Sequence, residues 1–178
     1  MKLTAIFIFL FISFFPLEAN EVKIEWSESK KLTWSDFRGP RTKDASYAAS
    51  TSSGISFTYS VKHAKGDIDM DFSVKCHFYP EKSWYDRNHA SDYILKHEQT
   101  HFDISELHAR VLRKLISEAS FSKDIKTEIK AIYQEVERER GKMQRRFDAE
   151  TEHSIDKKNE YLWEAFIAKQ LIAYERWK

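Results

Sequence analysis

Within this 178-residue chain, His97-Glu98-Gln99-Thr100-His101 is the segment whose residue types and spacing point most directly to chemistry. Two histidines four apart on a helix point the same way, about one turn from each other. Both imidazoles can then reach one cation at the ~2.0–2.1 Å that zinc requires. The glutamate directly after the first histidine cannot fully share that face, so it flanks the metal. From there it can take a proton from a metal-bound water and pass it to a leaving amine. The order His, Glu, His therefore predicts a helix-borne zinc site of the metallopeptidase type, with Glu98 as general base. The alternative, two core histidines each satisfied by a hydrogen bond, would bury two imidazoles on adjacent turns at considerable cost.

Such a site needs a third protein ligand. His108 lies on the same face, but ~16 Å further along the axis at 1.5 Å per residue, out of reach while the helix continues. The extended motif that uses a nearby histidine needs a glycine three residues after the second histidine, and Ile104 stands there. The remaining candidates, Asp148, Glu150, Glu152 and His153, cluster where two expected helices join, so that stretch can fold back over the first. His153 is favoured because neutral imidazole is a common zinc ligand; Glu150 is the alternative, and otherwise these acids cap the next helix. His63, His77 and His89 precede the motif and are less suitably placed. Asp103 and Glu106 are candidates to orient a ligating imidazole, and Tyr133 and Tyr161 candidates for a second electrophile.

The elements that must position these groups are legible in the hydrophobic pattern. Val22–Trp26 and Ser53–Val61 read as strands, the second with Ile55, Phe57, Tyr59 and Val61 on one face. Ile68, Met70, Phe72, Val74, Cys76 and Phe78 alternate with polar residues, so this strand buries one side, with residues 62–66 as a hairpin connection. Cys76 falls on the apolar side and reads as a core residue. From about Asn88 to Ala119 an apolar stripe recurs at three and four residues and carries both histidines of the motif. A second helix is expected over 123–147, capped by Ser122 and bent or interrupted at Gly141, and a third from Ser154 or Asp156 towards Trp177. Strands first and helices after give an α+β domain, a small antiparallel sheet packed against about three helices, the first a zincin-like active-site helix.

Lys2, the apolar run Ala5–Phe15 and the small residue Ala19 read as a secretory leader, leaving residues 20–178 as one domain. The protein is therefore expected outside the cytoplasm, periplasmic or extracellular, with no stable membrane span after cleavage. A formal net charge of +1 argues against a nucleic-acid partner. The basic run Arg138–Arg146 interleaves with Glu135, Glu137 and Glu139, as on a solvated helix face.

With these residues in view, the chain resembles a bacterial family known as domain of unknown function 922, whose members are often described as secreted zinc-dependent proteases. The likeness runs through Leu32-Thr33-Trp34-Ser35-Asp36-Phe37-Arg38-Gly39-Pro40, through His97–Ile104 with Glu106, Ala109 and Arg110, and through Phe147–His153 with Trp163. The resemblance implies His153 as third ligand. Relatives tend to carry Tyr where Phe147 stands and Gly where Ser154 stands; a catalytic hydroxyl at the first position would be missing here. The expectation is a peptidase acting on a peptide or protein substrate. Its rival is a non-catalytic zinc-stabilised module, with Trp26, Trp34 and Trp84 as contact residues, or a metal-free structural domain.

Overall fold

The computed structural model describes residues 21–43, 45–64 and 67–178, apart from the side chains of residues 63–69. The expected leader, residues 1–19, and the tip of the expected hairpin lie outside these.

The two alternating runs form strands β3 (Ser53–Ala64) and β4 (Asp67–Phe78), paired antiparallel, and β1 (Ile24–Glu25) pairs with the other edge of β4. The register sets Ile55 opposite Cys76, Phe57 opposite Val74 and Tyr59 opposite Phe72. Apolar positions thus coincide on one side, which is what a period of two must do when one face is buried. Cys76 and Phe78 are fully enclosed there, and burial pushes the Cys76 thiol well above its usual range. Two strands too short to show a period, β2 (Ala49–Ser50) and β5 (Trp84–Tyr85), pair separately.

Two helices cover the sheet and a third packs on the first of them. Ser91 caps α1 (Asp92–Glu118), its hydroxyl accepting from the Ile94 amide at 3.2 Å. One face of α1 packs Phe102, Ala109, Leu112 and Ile116 against Val74, Cys76 and Phe78; Ile104 and Leu107 join a second cluster with Phe147, Trp163 and Ile167. Helix α2 spans Ile125–Glu150, running three residues past the expected end and unbroken through Gly141. Ser122 does not occupy the cap position, which falls on Asp124; its hydroxyl donates to Glu128 instead. Asp156 caps α3 (Lys157–Ala173) by accepting from the Lys158 and Asn159 amides. The architecture is α+β, with small antiparallel sheets and three helices. None of the described helices is long and apolar enough to cross a membrane.

Within the basic run, Arg138, Arg140, Lys142 and Arg146 are each bridged to a glutamate of the same helix. The segment Trp34–Gly39 is a packing device. Asp36 accepts from the Thr33 amide at 2.8 Å, Phe37 is buried, and Trp34 stacks on Tyr85 at 4.7 Å. A side chain at Gly39 would put its first carbon 2.8 Å from the Glu81 carbonyl, so only glycine permits that approach. Trp84 is buried, and Trp26 donates its indole N–H to Asp103 at 2.7 Å. These three tryptophans are engaged in packing inside the chain.

Candidate metal centre

The histidine pair on α1 faces the last turns of α2. His97 Nε2 and His101 Nε2 lie 3.2 Å apart. Asp148 Oδ1 lies 3.0 Å from His101 Nε2 and 3.4 Å from His97 Nε2. Ligands at ~2.0–2.1 Å from a tetrahedral ion are about 3.3 Å from one another. The three separations sit around that value, so these atoms already occupy three corners of such a shell.

The outer nitrogens fix which atoms carry protons. His97 Nδ1 lies 2.9 Å from Oε2 of Glu160 on α3, whose side chain is fully enclosed. A carboxylate oxygen only accepts, so His97 Nδ1 carries the proton. His101 Nδ1 bonds to Oε1 of Gln144. Gln144 donates its amide group to the His101 carbonyl at 2.8 Å and to Ser105, leaving its oxygen for the imidazole. Each Nε2 is thereby left as a lone pair, and both converge on a carboxylate oxygen. Such a group calls for a positive charge at its centre. Without an ion, a proton fills that place: burial alone would lower the pKa of His97, but hydrogen bonds to Asp148 and Glu160 push it up to about 9. Burial alone would raise Asp148; its bonds to His101 and His97 instead hold it well below the usual carboxylate range.

Phe147 forms the wall behind the cluster. Its ring stacks on His97 at 4.5 Å and meets His101 edge-on at 5.0 Å, with none of its own surface exposed. Beyond it the chain reverses sharply. The His153 amide donates to the Asp148 carbonyl at 2.9 Å, and Glu152, His153 and Ser154 have φ of 49°, 54° and 72°. Three successive non-glycine residues in the left-handed region carry backbone strain. The turn sets His153 at the rim, its Nδ1 3.6 Å from Asp148 Oδ1, its ring stacked on Tyr47 at 6.0 Å and 58% of its side chain exposed.

Glu98 lies beside the cluster, 3% exposed, and its Oε2 has no hydrogen-bond partner among the described residues. It lines, with both histidines, Asp148 and His153, a cavity of about 420 Å³ whose opposite side is the segment 47–53. That segment contains β2. Ala48 accepts from the Asp86 amide at 2.7 Å, so ladder bonds fall on Ala48 and Ser50. In an antiparallel pair the alternate residue, Ala49, turns its N–H and C=O to the other edge.

Other residues singled out from the sequence lie elsewhere. His108 is buried, and its Nδ1 donates to the Ile104 carbonyl at 2.8 Å. Asp103 accepts from Trp26 and Gln99, and Glu106 pairs with Arg110 and Arg113; neither touches His97 or His101. Glu150 accepts from Arg146 and from the Trp163 indole, pointing away from the cluster. Tyr133 donates to the Ile55 carbonyl and Tyr161 is exposed; neither lines the cavity, whereas Tyr47 does. His77 bonds to Ser56, and His89 sits on Asp86. The imidazole-orienting groups are instead Glu160 and Gln144. Glu160 had one signal in the sequence, as the acid sharing a helical face with Trp163 and Ile167. Gln144 had one too, standing four residues before Asp148.

No curated protein and no solved structure matches the chain. Residues 30–154 match the family described as bacterial protein of unknown function (DUF922), a span holding His97, Glu98, His101, Gln144, Asp148 and His153. The chain belongs to that family.

Proposed function

We propose that this protein is an exported zinc-dependent peptidase, with His97, His101 and Asp148 as metal ligands and Glu98 as general base. The observation that supports this most is the convergence of two imidazole lone pairs and a carboxylate oxygen at 3.0–3.4 Å, beside a buried carboxylate with a free oxygen. A zinc ion held there would supply Lewis acidity, polarising a carbonyl and acidifying a water. Glu98, buried and with one oxygen unpartnered among the described residues, would accept a proton from that water and return it to the leaving amine. Phe147 closes the back of the cluster, which leaves the cavity side for substrate. There the outward edge of β2 would take an extended peptide through Ala49, in the manner of an added strand. The edge of β3 does not serve, since Tyr133 donates to Ile55 and Arg140 to Ser53 along it. His153, favoured as third ligand on sequence, stands one contact outside the cluster; we place it at the mouth.

Metal analysis of protein purified without added zinc should find one ion per chain. Asp148→Asn should weaken zinc binding about 100-fold or more, and His153→Ala much less; equal losses would bring His153 into the shell. Glu98→Gln should keep the metal and lose hydrolysis of a general protein substrate. Zinc bound by an unmodified chain that cleaves nothing across a broad peptide library would replace the peptidase by a zinc-stabilised module. Export predicts a mature chain beginning near Asn20, read by mass spectrometry of protein recovered outside the cytoplasm.

A further inference from the structure

The cavity beside the metal cluster holds few free donors for the oxygen of a bound peptide. Arg140 is engaged: its Nε and Nη2 donate to Glu137 at 3.0 and 2.7 Å, and its Nη1 to the Ser53 carbonyl and the Ser105 hydroxyl. Gln144 gives its amide group to the His101 carbonyl and to Ser105, and Thr51 its hydroxyl to the Glu98 carbonyl. His153 is different. Its imidazole makes no hydrogen bond among the described residues and pairs only loosely with Asp148, whose Oδ1 lies 3.6 Å from its Nδ1.

Yet this exposed ring is held in place. The His153 amide donates to the Asp148 carbonyl, its φ of 54° fixes the turn, and its imidazole lies over Tyr47 at an interplanar angle of 19°. Tyr47 in turn stacks on Trp84, 5.4 Å away and buried. The three rings form a short stack rooted in the protein and ending at the cavity mouth. Fixing an exposed side chain costs conformational entropy, and left-handed backbone adds strain. An imidazole with 58% of its side chain exposed offsets little of that by burial. Strained backbone and preorganised donors are the features that gather at reacting centres.

We propose that His153 is a catalytic residue, the N–H donor to the scissile carbonyl oxygen; this rests on the peptidase reading above. Phe147 closes the back of the cluster, so the peptide carbonyl comes from the cavity side, which His153 lines beside Asp148. Glu98 and His153 then have separate tasks. Water adds to the scissile carbon, the carbonyl π pair moves onto its oxygen, and Glu98 takes one of the water's protons. The charge developing on that oxygen meets the His153 N–H, in a bond stronger in the transition state than in the bound substrate. As the C–N bond breaks, its electron pair leaves with the nitrogen, and the pair on oxygen re-forms the double bond. Glu98 passes its proton to that nitrogen, and His153 keeps its own proton throughout.

His153→Ala should lower kcat on a reporter peptide about 100-fold or more and change KM less than about threefold, since the bond is made in the transition state. Zinc affinity, by chelator competition, should stay within about threefold, because the side chain is not a ligand. A phosphinic peptide, whose tetrahedral anion copies the charged oxygen, should bind the zinc-loaded variant about 100-fold more weakly by calorimetry, with no turnover involved. His153→Gln, which restores an N–H donor, should recover about tenfold of both losses. A parallel fall in zinc affinity would make His153 a ligand instead, and unchanged kcat and inhibitor affinity would leave it a packing residue. Tyr47→Phe keeps the stack and removes one hydroxyl; a 100-fold loss there with His153→Ala silent would move the role to Tyr47. In each of these cases the unmodified protein still cleaves peptide, and only this assignment falls. A zinc-loaded, unmodified chain that neither cleaves a peptide library nor binds the phosphinic peptide would overturn the peptidase reading, and this assignment with it.

Discussion

Glu160→Gln tests the metal centre at a residue that touches no ion. The fully buried Glu160 carboxylate holds the His97 Nδ1 proton at 2.9 Å, and its second oxygen has no partner among the described residues. Glutamine preserves size and leaves an oxygen to accept the same bond, so only the charge is removed. Charge-assisted hydrogen bonds are about twice as strong as neutral ones, and loss of such a partner behind a ligating imidazole costs about 10–100-fold in metal affinity. That ratio corresponds to about 1.4–2.7 kcal/mol. With metal well above both dissociation constants, the stabilisation on binding falls by the same amount. For a chain of this size the metal-dependent rise in Tm should shrink by about 3–10 °C. The difference between metal-loaded and metal-free Tm is the right quantity, because Glu160 also pairs with His97 when the ion is absent. Competition against a chromophoric chelator gives the affinity directly. Glu150→Gln, whose parent side chain is engaged by Arg146 and Trp163, serves as control and should leave it unchanged. A Glu160→Gln affinity within twofold of the unmodified protein would refute the assignment of a tautomer-fixing role.

Three further outcomes follow from the surroundings. Ser154→Gly should raise stability by about 0.5–1 kcal/mol in urea unfolding, since glycine removes the penalty of a φ of 72°. His108 is buried and neutral, and burial is the main cause that lowers its pKa. Its contribution is therefore complete above the unfolded histidine value of ~6.5 and is lost as pH falls below it, by at most about 1.4 kcal/mol per pH unit. His108→Leu should remove that part of the acid-side slope between about pH 7 and pH 5, as chemical denaturation at each pH would show. Cys76, enclosed and with its thiol pKa raised by burial, should react with a thiol reagent only after denaturation; rapid labelling of the native chain would contradict its place in the core.

Periodicity carried most of the fold. The β3–β4 pairing could be read because alternation leaves one register that buries both apolar faces, and α1 because its stripe runs unbroken for several turns. Strands β2 and β5 could not, since two residues have no period. At the site, the histidine pair was visible because four-residue spacing is a local property. Asp148 stood among the candidates, but its part depended on where α2 stops. A helix ending at Phe147 leaves Asp148 in a connection, whereas the helix running to Glu150 puts it one turn beyond Gln144 on the face towards α1. Three residues of boundary thus decide which donor meets the imidazoles. Glu160 is 63 residues from His97, and only the packing of α3 across α1 brings them together.

That three-helix origin has a consequence for assembly. His101 and Asp148 are 47 residues apart in sequence, and His97 and Glu160 are 63 apart. An ion gripping both imidazoles and Asp148 would act as a clip between distant parts of the chain, a link the unfolded chain cannot make at comparable entropic cost. Ligand capture and completion of the helical layer then become one event. With no ion there, the chain would keep the hairpin and its seat on α1 but would lack that clip between α1 and the end of α2. Loading such a centre would thus be the final step of folding.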